Sequence, residues 1–384
     1  MANIFDNCPD RRDSESVKWN VYAKDVLPMW VADMDVRSPQ AVIDALHERV
    51  DHAVFGYPLA PKALSEAIVE RMEDRYQWKI QPEDILYLPG VVAGFNLAAQ
   101  AFTDRGNSLL MQTPVYPPFL CAPEHAQVRG IQVDLQQAPD GSYSIDFDAF
   151  EAAIAEDTQA FLLCNPHNPI GRVFTKSELE KLGEICLRHG VTIVADEIHS
   201  DLIFKGHLHT PIASLGNELE EHTVTIIAPS KTFNIAGLDC AAIICTNPGL
   251  REKLECARRG TLGHVNILGY TAALAAYRHG QAWLDELLIA LEENRDFLYD
   301  SIRQRLPGVI MAKPEGTYLA WLDFRNLQLP QDPYHFFLDQ AKVALNDGRE
   351  FGQAGEGFLR LNFGCSMGML EETMTRMESA LKKL

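Results

Sequence analysis

The stretch Val191-Thr-Ile-Val-Ala-Asp-Glu-Ile-His199 carries mostly apolar residues with high strand propensity, followed directly by two carboxylates. A run of this kind is typical of a strand that is buried on both faces of a parallel sheet. Because open α/β sheets bind ligands beyond the carboxyl ends of their strands, we expect Asp196 to face a ligand crevice. A buried carboxylate needs a cationic partner, such as a protonated pyridine nitrogen. The alternative is that Asp196 only caps a helix beginning near Ile198.

Four further segments share this apolar character, and helix-like stretches separate them along the chain. They span residues 108–113, 160–165, 223–229 and 241–246. Buried strands that alternate with helices indicate a mainly parallel sheet with crossover helices. Thr175-Lys-Ser-Glu178 is a capping box, and it predicts an amphipathic helix that begins there and ends before Gly190. The sequence therefore predicts an α/β fold.

The order of the elements changes near residue 285. Beyond this point the pattern predicts a long helix over 285–305, strands over 309–312, 317–324 and 358–363, and helices over 333–346 and 370–383. Such an order is typical of an α+β unit. We therefore expect a large domain over residues 41–284 and a small α+β domain over residues 285–384. The N-terminal segment, residues 1–40, is expected to join the small domain and the mouth of the ligand site.

The composition excludes several classes of protein. With 384 residues, 47% of them hydrophobic and 23% charged, the chain is long enough for two to three domains and too apolar to be disordered. A net charge of −19 without a basic stripe predicts no nucleic-acid partner. No apolar run approaches the ~18–20 residues of a membrane span, so we expect no membrane contact. Eight cysteines without a C-x-x-C pair, and an N-terminus unlike a signal peptide, predict a cytoplasmic protein.

The segment Ala228-Pro-Ser-Lys-Thr-Phe-Asn-Ile-Ala-Gly-Leu238 places a lysine directly after a buried strand. A lysine that is removed from water has a lowered pKa and acts as an amine nucleophile toward a carbonyl group. Lys231 is therefore a candidate for forming a Schiff base. On this segment alone, the alternative is an ordinary solvated lysine in a loop.

Two segments rich in turn residues adjoin predicted strands and helices and are candidates for ligand contacts. Asn165-Pro-His-Asn-Pro-Ile-Gly-Arg172 holds side-chain amides at fixed angles, and Asn168 is a candidate donor to a phenolate oxygen, whereas a plain turn explains Asn165. Leu88-Pro-Gly-Val-Val-Ala-Gly94 opens a helix over 91–103, whose free amides make an anion site. Many glycine turns precede helices without binding an anion, so this segment alone does not define a phosphate site.

Taken together and in this order, the segments resemble the fold-type I pyridoxal 5′-phosphate (PLP) enzymes of the aspartate aminotransferase superfamily. The likeness is closest to the MalY/PatB class of cystathionine β-lyases, or C–S lyases. It runs from residue 29 to residue 364 and includes further strings: Met29-Trp-Val-Ala-Asp-Met-Asp35, Phe55-Gly-Tyr-Pro58, Thr113-Pro-Val-Tyr-Pro117, Asp196-Glu-Ile-His-Ser-Asp-Leu202 and Leu359-Arg-Leu-Asn-Phe-Gly364. The resemblance implies a large PLP-binding domain with a mainly parallel mixed sheet flanked by helices, and a smaller α+β domain.

The resemblance also implies roles for individual residues. Lys231 would bind PLP covalently and act as the general base, and Asp196 would keep the pyridine nitrogen protonated. Arg360 would bind the substrate carboxylate as a bidentate fork. The other implied cofactor contacts are Asn168 at the ring's 3-oxygen, Tyr116 and Ile198 on the two ring faces, and Ser230 with the amides of Val91 and Val92 at the phosphate. Tyr57 would reach the phosphate of a neighbouring subunit, which implies a homodimer with shared sites.

Several positions depart from the wider superfamily pattern. Ala228 stands where aminotransferases usually have a phosphate-binding hydroxyl, and Asp239 stands where they usually have an arginine. We therefore expect a less cationic phosphate site. His199 stands where aminotransferases have a tyrosine, so a contact near the 3-oxygen and a structural imidazole are both open. We expect no metal site, although several potential ligands lie close together in the sequence: His199, Asp201, His207 and His209.

By the resemblance, the chain is a PLP-dependent C–S β-lyase that acts on cystathionine and other cysteine-type amino acids. It would release a thiol, pyruvate and ammonia, and it would serve methionine biosynthesis. The alternative is an aminotransferase on the same fold, in which Lys231 returns the proton to the cofactor instead. A third reading is a PLP-containing protein that binds a partner and keeps only residual lyase activity.

Overall fold

The computed structural model describes residues 3–384, and within this range no helix is long and apolar enough to cross a bilayer. The strands are β1 (Leu27–Pro28), β2 (Ile85–Leu88), β3 (Ser108–Thr113), β4 (Arg129–Asp134), β5 (Gln136–Gln137), β6 (Tyr143–Ser144), β7 (Thr158–Cys164), β8 (Thr192–Asp196), β9 (Thr223–Ile227), β10 (Ala241–Ile244), β11 (Leu319–Asp323), β12 (Val343–Ala344), β13 (Asn346–Asp347) and β14 (Phe358–Asn362).

The helices are α1 (Val17–Asn20), α2 (Gln40–Asp51), α3 (Lys62–Tyr76), α4 (Val91–Phe102), α5 (Pro117–Ala126), α6 (Phe147–Ala153), α7 (Lys176–Arg188), α8 (Asn217–Glu221), α9 (Pro229–Thr232), α10 (Pro248–Arg258), α11 (Ile267–His279), α12 (Gln281–Arg305), α13 (Pro333–Phe336) and α14 (Met367–Leu381). The capping box predicted at the start of α7 is confirmed, because the Glu178 amide donates to the Thr175 hydroxyl and the Thr175 amide donates to the Glu178 carboxylate.

A seven-stranded sheet forms the centre of the fold, in the order β2-β10-β9-β8-β7-β3-β4. The strands from β9 to β4 pair in parallel, whereas β10 is antiparallel to both β2 and β9. The mainly parallel mixed sheet predicted from the sequence is therefore confirmed. The predicted strand over 108–113 has the same bounds as β3, and the other predicted strands end one or two residues earlier than expected, where turn residues follow.

Helices pack on this sheet, and α4 lies close to it at Gly94. A Cβ atom at Gly94 would lie 3.1 Å from Leu88 Cδ1 and 3.2 Å from Ile226 Cγ2. Because a larger residue would push the helix away, the glycine fixes α4 against the sheet. The amino end of α4 is therefore held at the edge of the sheet where the parallel strands end.

The second part of the chain forms a three-stranded antiparallel sheet, β11-β14-β13. Its strands β11 and β14 share one apolar cluster with α12 and α14. The helix predicted over 285–305 begins four residues earlier, at Gln281. We propose the domain division that the sequence suggests, with a large domain over residues 41–284 and a small domain over 285–384 that also takes up the N-terminal segment.

Two predicted elements of this part differ from the structure: one helix ends too late, and one strand is absent as a strand. The helix predicted over 333–346 stops at Ala341, because Lys342 has a left-handed φ of +54°. The apolar residues after this point have a helix-like spacing in the sequence. They belong instead to β12, which pairs in parallel with β1. The strand predicted over 309–312 is reduced to a single bridge, in which Ile310 pairs with Asp323.

The N-terminal segment lies along the small sheet. After β1, the Asn362 amide donates to the Met29 carbonyl at 2.9 Å, and the Asp35 amide donates to the Gly364 carbonyl at 3.0 Å. These backbone bonds hold the irregular Met29–Asp35 string beside the end of β14. The string thereby forms one wall of the ligand site described below.

Candidate active site

A cavity of about 450 Å³ opens beyond the carboxyl ends of β7, β8 and β9, opposite residues 30–32. Every residue that the sequence assigns to the cofactor or the substrate lines this cavity, with the exception of Tyr57. The residues brought together are Val91, Val92, Tyr116, Asn168, Asp196, Ile198, His199, Ser230, Lys231 and Arg360.

Lys231 lies on the single turn of α9 that follows β9. Its Nζ donates to the backbone carbonyl of Ala32 at 2.7 Å. Because the surrounding protein shields the amine from water and Arg360 lies near it, the pKa of Lys231 is lowered to about 8, against the opposing effects of Asp33 and Asp196. The amine therefore loses its proton more easily than an ordinary lysine, and the side chain lies on a helical turn in the cavity rather than in an exposed loop.

Asp196 is the last residue of β8 and is buried. Its Oδ1 accepts a hydrogen bond from the Ile198 amide at 3.1 Å. Burial raises the pKa of Asp196 to about 7, although the Ile198 amide and Lys231 act in the opposite direction. No helix begins at Ile198, where the chain forms a turn instead, so the helix-cap alternative is wrong. The carboxylate is thus available to a cation that enters the cavity.

Arg360 extends from β14 into the cavity and is also buried. Its Nη1 donates to Asn168 Oδ1 at 2.9 Å, and its Nη2 donates to Asn346 Oδ1 at 2.6 Å and to the Trp30 carbonyl at 3.2 Å. Its Nε has no hydrogen-bond partner among residues 3–384. Burial lowers the pKa of Arg360 to about 10, so the guanidinium remains charged at neutral pH. A buried cation with only neutral partners is a binding site for an anion.

The middle of the cavity is formed by rings and a thiol. Tyr116 and Ile198 line it, together with His199 and Cys164. Burial, together with the nearby Lys231 and Arg360, lowers the pKa of His199 to about 3, so its imidazole is neutral. Its Nδ1 has no partner within the described part of the chain. A neutral imidazole with one ring nitrogen available fits a contact with a bound ligand.

The opposite end of the cavity begins at Gly90, whose φ of +119° turns the chain into α4. The Gly94 amide is bonded back to the Gly90 carbonyl, and the amides before it have no acceptor in the helix. Ser230 adds a hydroxyl, whereas Asp239 adds a carboxylate to the same lining. Ala228 is buried and contributes no polar group. This end therefore offers amides and a hydroxyl to an anion, and the residues named here, among those that the structure describes, add no cationic side chain.

Tyr57 does not line the cavity of its own chain. It lies between α2 and α3 in a segment without helix or strand, and its side chain is fully exposed. Its apolar neighbours Val54, Phe55 and Leu59 are exposed as well. The structure of one chain therefore leaves this segment on the surface.

Sequence reasoning missed several residues of the cavity wall. Cys164 is the last residue of β7, and Asn346 starts the edge strand β13 that pairs with β14. Ala32 belongs to a string that the resemblance includes, but nothing in the sequence singles out its carbonyl. The position of Cys164 at a strand end could have identified it. Asn346 had no such signal, because the sequence pattern placed it in a helix.

The four residues considered as metal ligands do not face one another as a set. His209 Nε2 lies 2.9 Å from a Glu197 carboxylate oxygen, and Arg71 donates to Asp201 at 2.6 Å. His199 instead lines the cavity, and His207 lies on an exposed loop. The four side chains therefore lie in different surroundings, and only His209 and Asp201 have the ionic partners named above.

Comparison with known proteins identifies the family. The profile of the aminotransferase class I and II family matches residues 24–377. The chain is 44% identical to cystathionine beta-lyase PatB of Bacillus subtilis, over 98% of this chain and 99% of that protein. The chain belongs to the aminotransferase class I and II family.

Two solved structures have nearly the same fold. A PLP-bound putative aminotransferase from Clostridium difficile superimposes with a TM-score of 0.95 at 40% identity, over 99% of this chain and 100% of that one. Cystalysin from Treponema denticola, which contains a PLP cofactor, superimposes with a TM-score of 0.95 at 34% identity, over 100% of both chains. The predicted fold class, a large mixed sheet flanked by helices with a smaller α+β part, is confirmed.

Proposed function

We propose that this chain is a PLP-dependent carbon–sulfur β-lyase that acts on cystathionine and related cysteine-type amino acids. The observation that carries the proposal is the shared cavity of Lys231, Asp196 and Arg360, an amine, a carboxylate and a guanidinium in one site. The extent of its identity to a protein named cystathionine beta-lyase supports the choice of reaction. A role in methionine biosynthesis follows from that substrate.

The residues of the cavity fit PLP. Asp196 is a carboxylate whose pKa is raised by burial, and Arg360 is a buried cation whose direct partners are neutral. The cavity volume lies within the range of small-molecule sites. Bound PLP supplies an aldehyde that reacts with amines and a ring that withdraws electrons from the substrate's α-carbon.

Each end of the cavity offers groups for one part of the cofactor. Asp196 would hold the pyridine nitrogen in its protonated form. Because the oxygen of Asn168 already accepts from Arg360, its Nδ2 group is the one that would donate to the ring's 3-oxygen, with His199 beside it. Tyr116 and Ile198 would cover the ring faces, and Ser230 with the amides of Val91 and Val92 would bind the phosphate.

Lys231 would hold the cofactor through its Nζ and, once that atom is free again, take the α-proton of the substrate. A pKa of about 8 leaves a substantial neutral fraction near neutral pH, as a general base requires. The electron pair from the Cα–H bond then forms the Cα–Cβ double bond as the C–S bond breaks. The sulfur gains a proton and leaves as a thiol, and one water converts the remaining carbon skeleton into pyruvate and ammonia.

Arg360 would orient the substrate during this step. Two neighbouring guanidinium N–H groups match the two oxygens of a carboxylate. Asn168 and Asn346 accept from the two Nη atoms and thereby fix the plane of the guanidinium. The substrate would then be held by its carboxylate in the cavity that Lys231 also lines.

We also propose a homodimer in which Tyr57 reaches the phosphate bound by the partner chain. An exposed phenol among exposed apolar residues on a segment without secondary structure supports an interface at this place. For its location, we propose the cytoplasm. The cysteines of residues 3–384 are all free thiols, as expected in a reducing compartment.

The experiment that tests the proposal uses the purified full-length protein loaded with PLP and given L-cystathionine. We expect a free thiol and pyruvate in equal amounts, with ammonia, and no activity from Lys231→Ala. A second assay adds an α-keto acid and measures new amino acid. Transfer of the amino group without thiol release would replace the lyase with the aminotransferase alternative.

A further inference from the structure

We propose that Tyr318 is a positioning residue for Lys231 and that it acts through the backbone carbonyl of Ala32. The inference rests on the proposed function, because it concerns the amine that would hold the cofactor and take the substrate's proton. It adds a residue next to the small antiparallel sheet to the machinery of the cavity.

The two side chains meet at one oxygen atom. Tyr318 directly precedes β11, and it is buried with only 1% of its surface exposed. Its hydroxyl donates to the Ala32 carbonyl at 2.7 Å, and Lys231 Nζ donates to the same carbonyl at 2.7 Å. A carbonyl oxygen has two lone pairs and accepts both bonds. The phenol and the amine therefore share a single acceptor.

The chain around Ala32 holds this carbonyl in place. The Asp33 amide donates to the Val31 carbonyl at 2.9 Å, which closes a three-residue turn with Ala32 at its centre. Asn362 Nδ2 donates to the carbonyls on both sides of Ala32, at 2.6 Å to Val31 and 2.7 Å to Asp33. The Ala32 carbonyl takes no part in the turn, so it remains available to Tyr318 and Lys231.

The shared acceptor affects both the position and the charge of the amine. A carbonyl stabilises an ammonium group more than a neutral amine, because the bond to a charged donor is stronger. The phenol occupies one lone pair and thereby weakens the carbonyl as an acceptor for the ammonium form. Tyr318 stays protonated and keeps this role, because burial raises the pKa of its hydroxyl far above the usual value. Tyr318 thus favours a neutral, oriented Lys231.

Other charged groups also face Lys231 and contribute to its pKa. Asp33 comes from the N-terminal segment, Arg360 from β14 and Asp196 from the end of β8. His199, in the turn after β8, also lies near Lys231, and its imidazole is neutral. Substitution of Tyr318 leaves all of them in place. A change in the titration of Lys231 can then be assigned to the lost hydroxyl.

The test uses Tyr318→Phe in the full-length protein. PLP is removed and added back over a series of pH values, and the rate of its covalent capture is followed by visible absorbance and by mass after borohydride reduction. We expect the midpoint of the rate to move up by about half a pH unit, a shift that corresponds to part of one hydrogen bond. The loaded variant should lose roughly threefold in kcat near neutral pH, with KM unchanged.

Tyr143→Phe is the matched control, because Trp321 donates to the Tyr143 hydroxyl in a buried site outside the cavity. It should lower thermal stability and leave the midpoint unchanged. Replacement of Tyr318 with difluorotyrosine keeps the fold and makes a stronger donor, and it should move the midpoint down. If both Tyr318 variants capture PLP with the midpoint of the natural protein, the inference is wrong. If the natural protein captures no PLP, the proposed function fails instead.

Discussion

Arg360 and Asn168 are 192 positions apart in the chain and are joined by a hydrogen bond of 2.9 Å inside the cavity. The bond links β14 to the turn that follows β7. It fixes the guanidinium that would bind the substrate carboxylate, and it sets the orientation of the amide that would contact the cofactor. The two binding functions are therefore coupled through one contact.

Replacement of Arg360 with lysine tests the carboxylate site. An ammonium group cannot form the fork or contact Asn168 and Asn346 together, so the substrate loses one or two charge-assisted hydrogen bonds. We expect kcat/KM to fall by about 10- to 100-fold, mainly through KM, in steady-state assays with L-cystathionine. Arg305→Lys, which alters a surface ion pair with Glu371 and Glu378, should leave both constants unchanged. An unchanged KM in Arg360→Lys would remove this residue from substrate binding.

Lys231→Ala tests the covalent role of the amine. We expect the variant to bind PLP only reversibly, so that dialysis removes the visible absorbance and borohydride adds no cofactor mass to the protein. Lyase turnover should fall by at least about 10²- to 10⁴-fold, the usual contribution of a general base. Lys176→Ala, on an exposed helix face, is the control and should keep both properties. Retained activity in Lys231→Ala would assign the chemistry to another group.

Asp196→Asn should change the thermal stability of the protein in opposite directions with and without cofactor. The carboxyl has a pKa of about 7 in the folded protein against 3.8 as its ordinary value, so the folded state binds the proton more tightly than the unfolded state. The natural protein without cofactor therefore loses stability as pH rises from about 4 through 7. The variant lacks this loss, and above pH 7 it should melt at a higher temperature, with the difference vanishing below pH 4.

With PLP bound, the natural protein should be the more stable of the two, because the amide of the variant offers no charge to the protonated pyridine nitrogen. We expect the loaded variant to melt below the loaded natural protein and to lose at least about 10-fold in kcat. Thermal melting over a pH series, with and without PLP, measures both effects. Asp140→Asn, at an exposed loop carboxylate, should show neither. If PLP stabilises both proteins equally, Asp196 does not face the ring nitrogen.

The site residues that could be predicted from local sequence pattern lie at or just beyond the ends of strands. Asp196 ends a strand and Lys231 closely follows one, and the parallel sheet collects such strand ends at one edge, so the local pattern was sufficient to bring them together. The resemblance then supplied Tyr116 and Arg360. The roles of these residues in binding remain predictions.

The residues that were missed depend on pairing between distant segments. Asn346 reaches the cavity because β13 pairs with β14 after a left-handed turn at Lys342, and the local apolar spacing indicated a helix there. The Ala32 carbonyl depends on an irregular turn that Asn362 holds from another strand. Neither contact has a local signal, because each is decided by which segments meet in the folded chain.

The dimer with shared sites can be tested by mixing two inactive variants. In a mixed dimer of Tyr57→Ala and Lys231→Ala, one site combines the intact Lys231 of one chain with the intact Tyr57 of the other, and the second site lacks both. Random exchange makes about half of the dimers mixed, so we expect the mixture to recover roughly a quarter of the natural activity. The control mixes each variant with itself and should recover nothing. If Tyr57→Ala alone keeps full activity and PLP affinity, or if mixing restores no activity, Tyr57 does not serve the site of a partner.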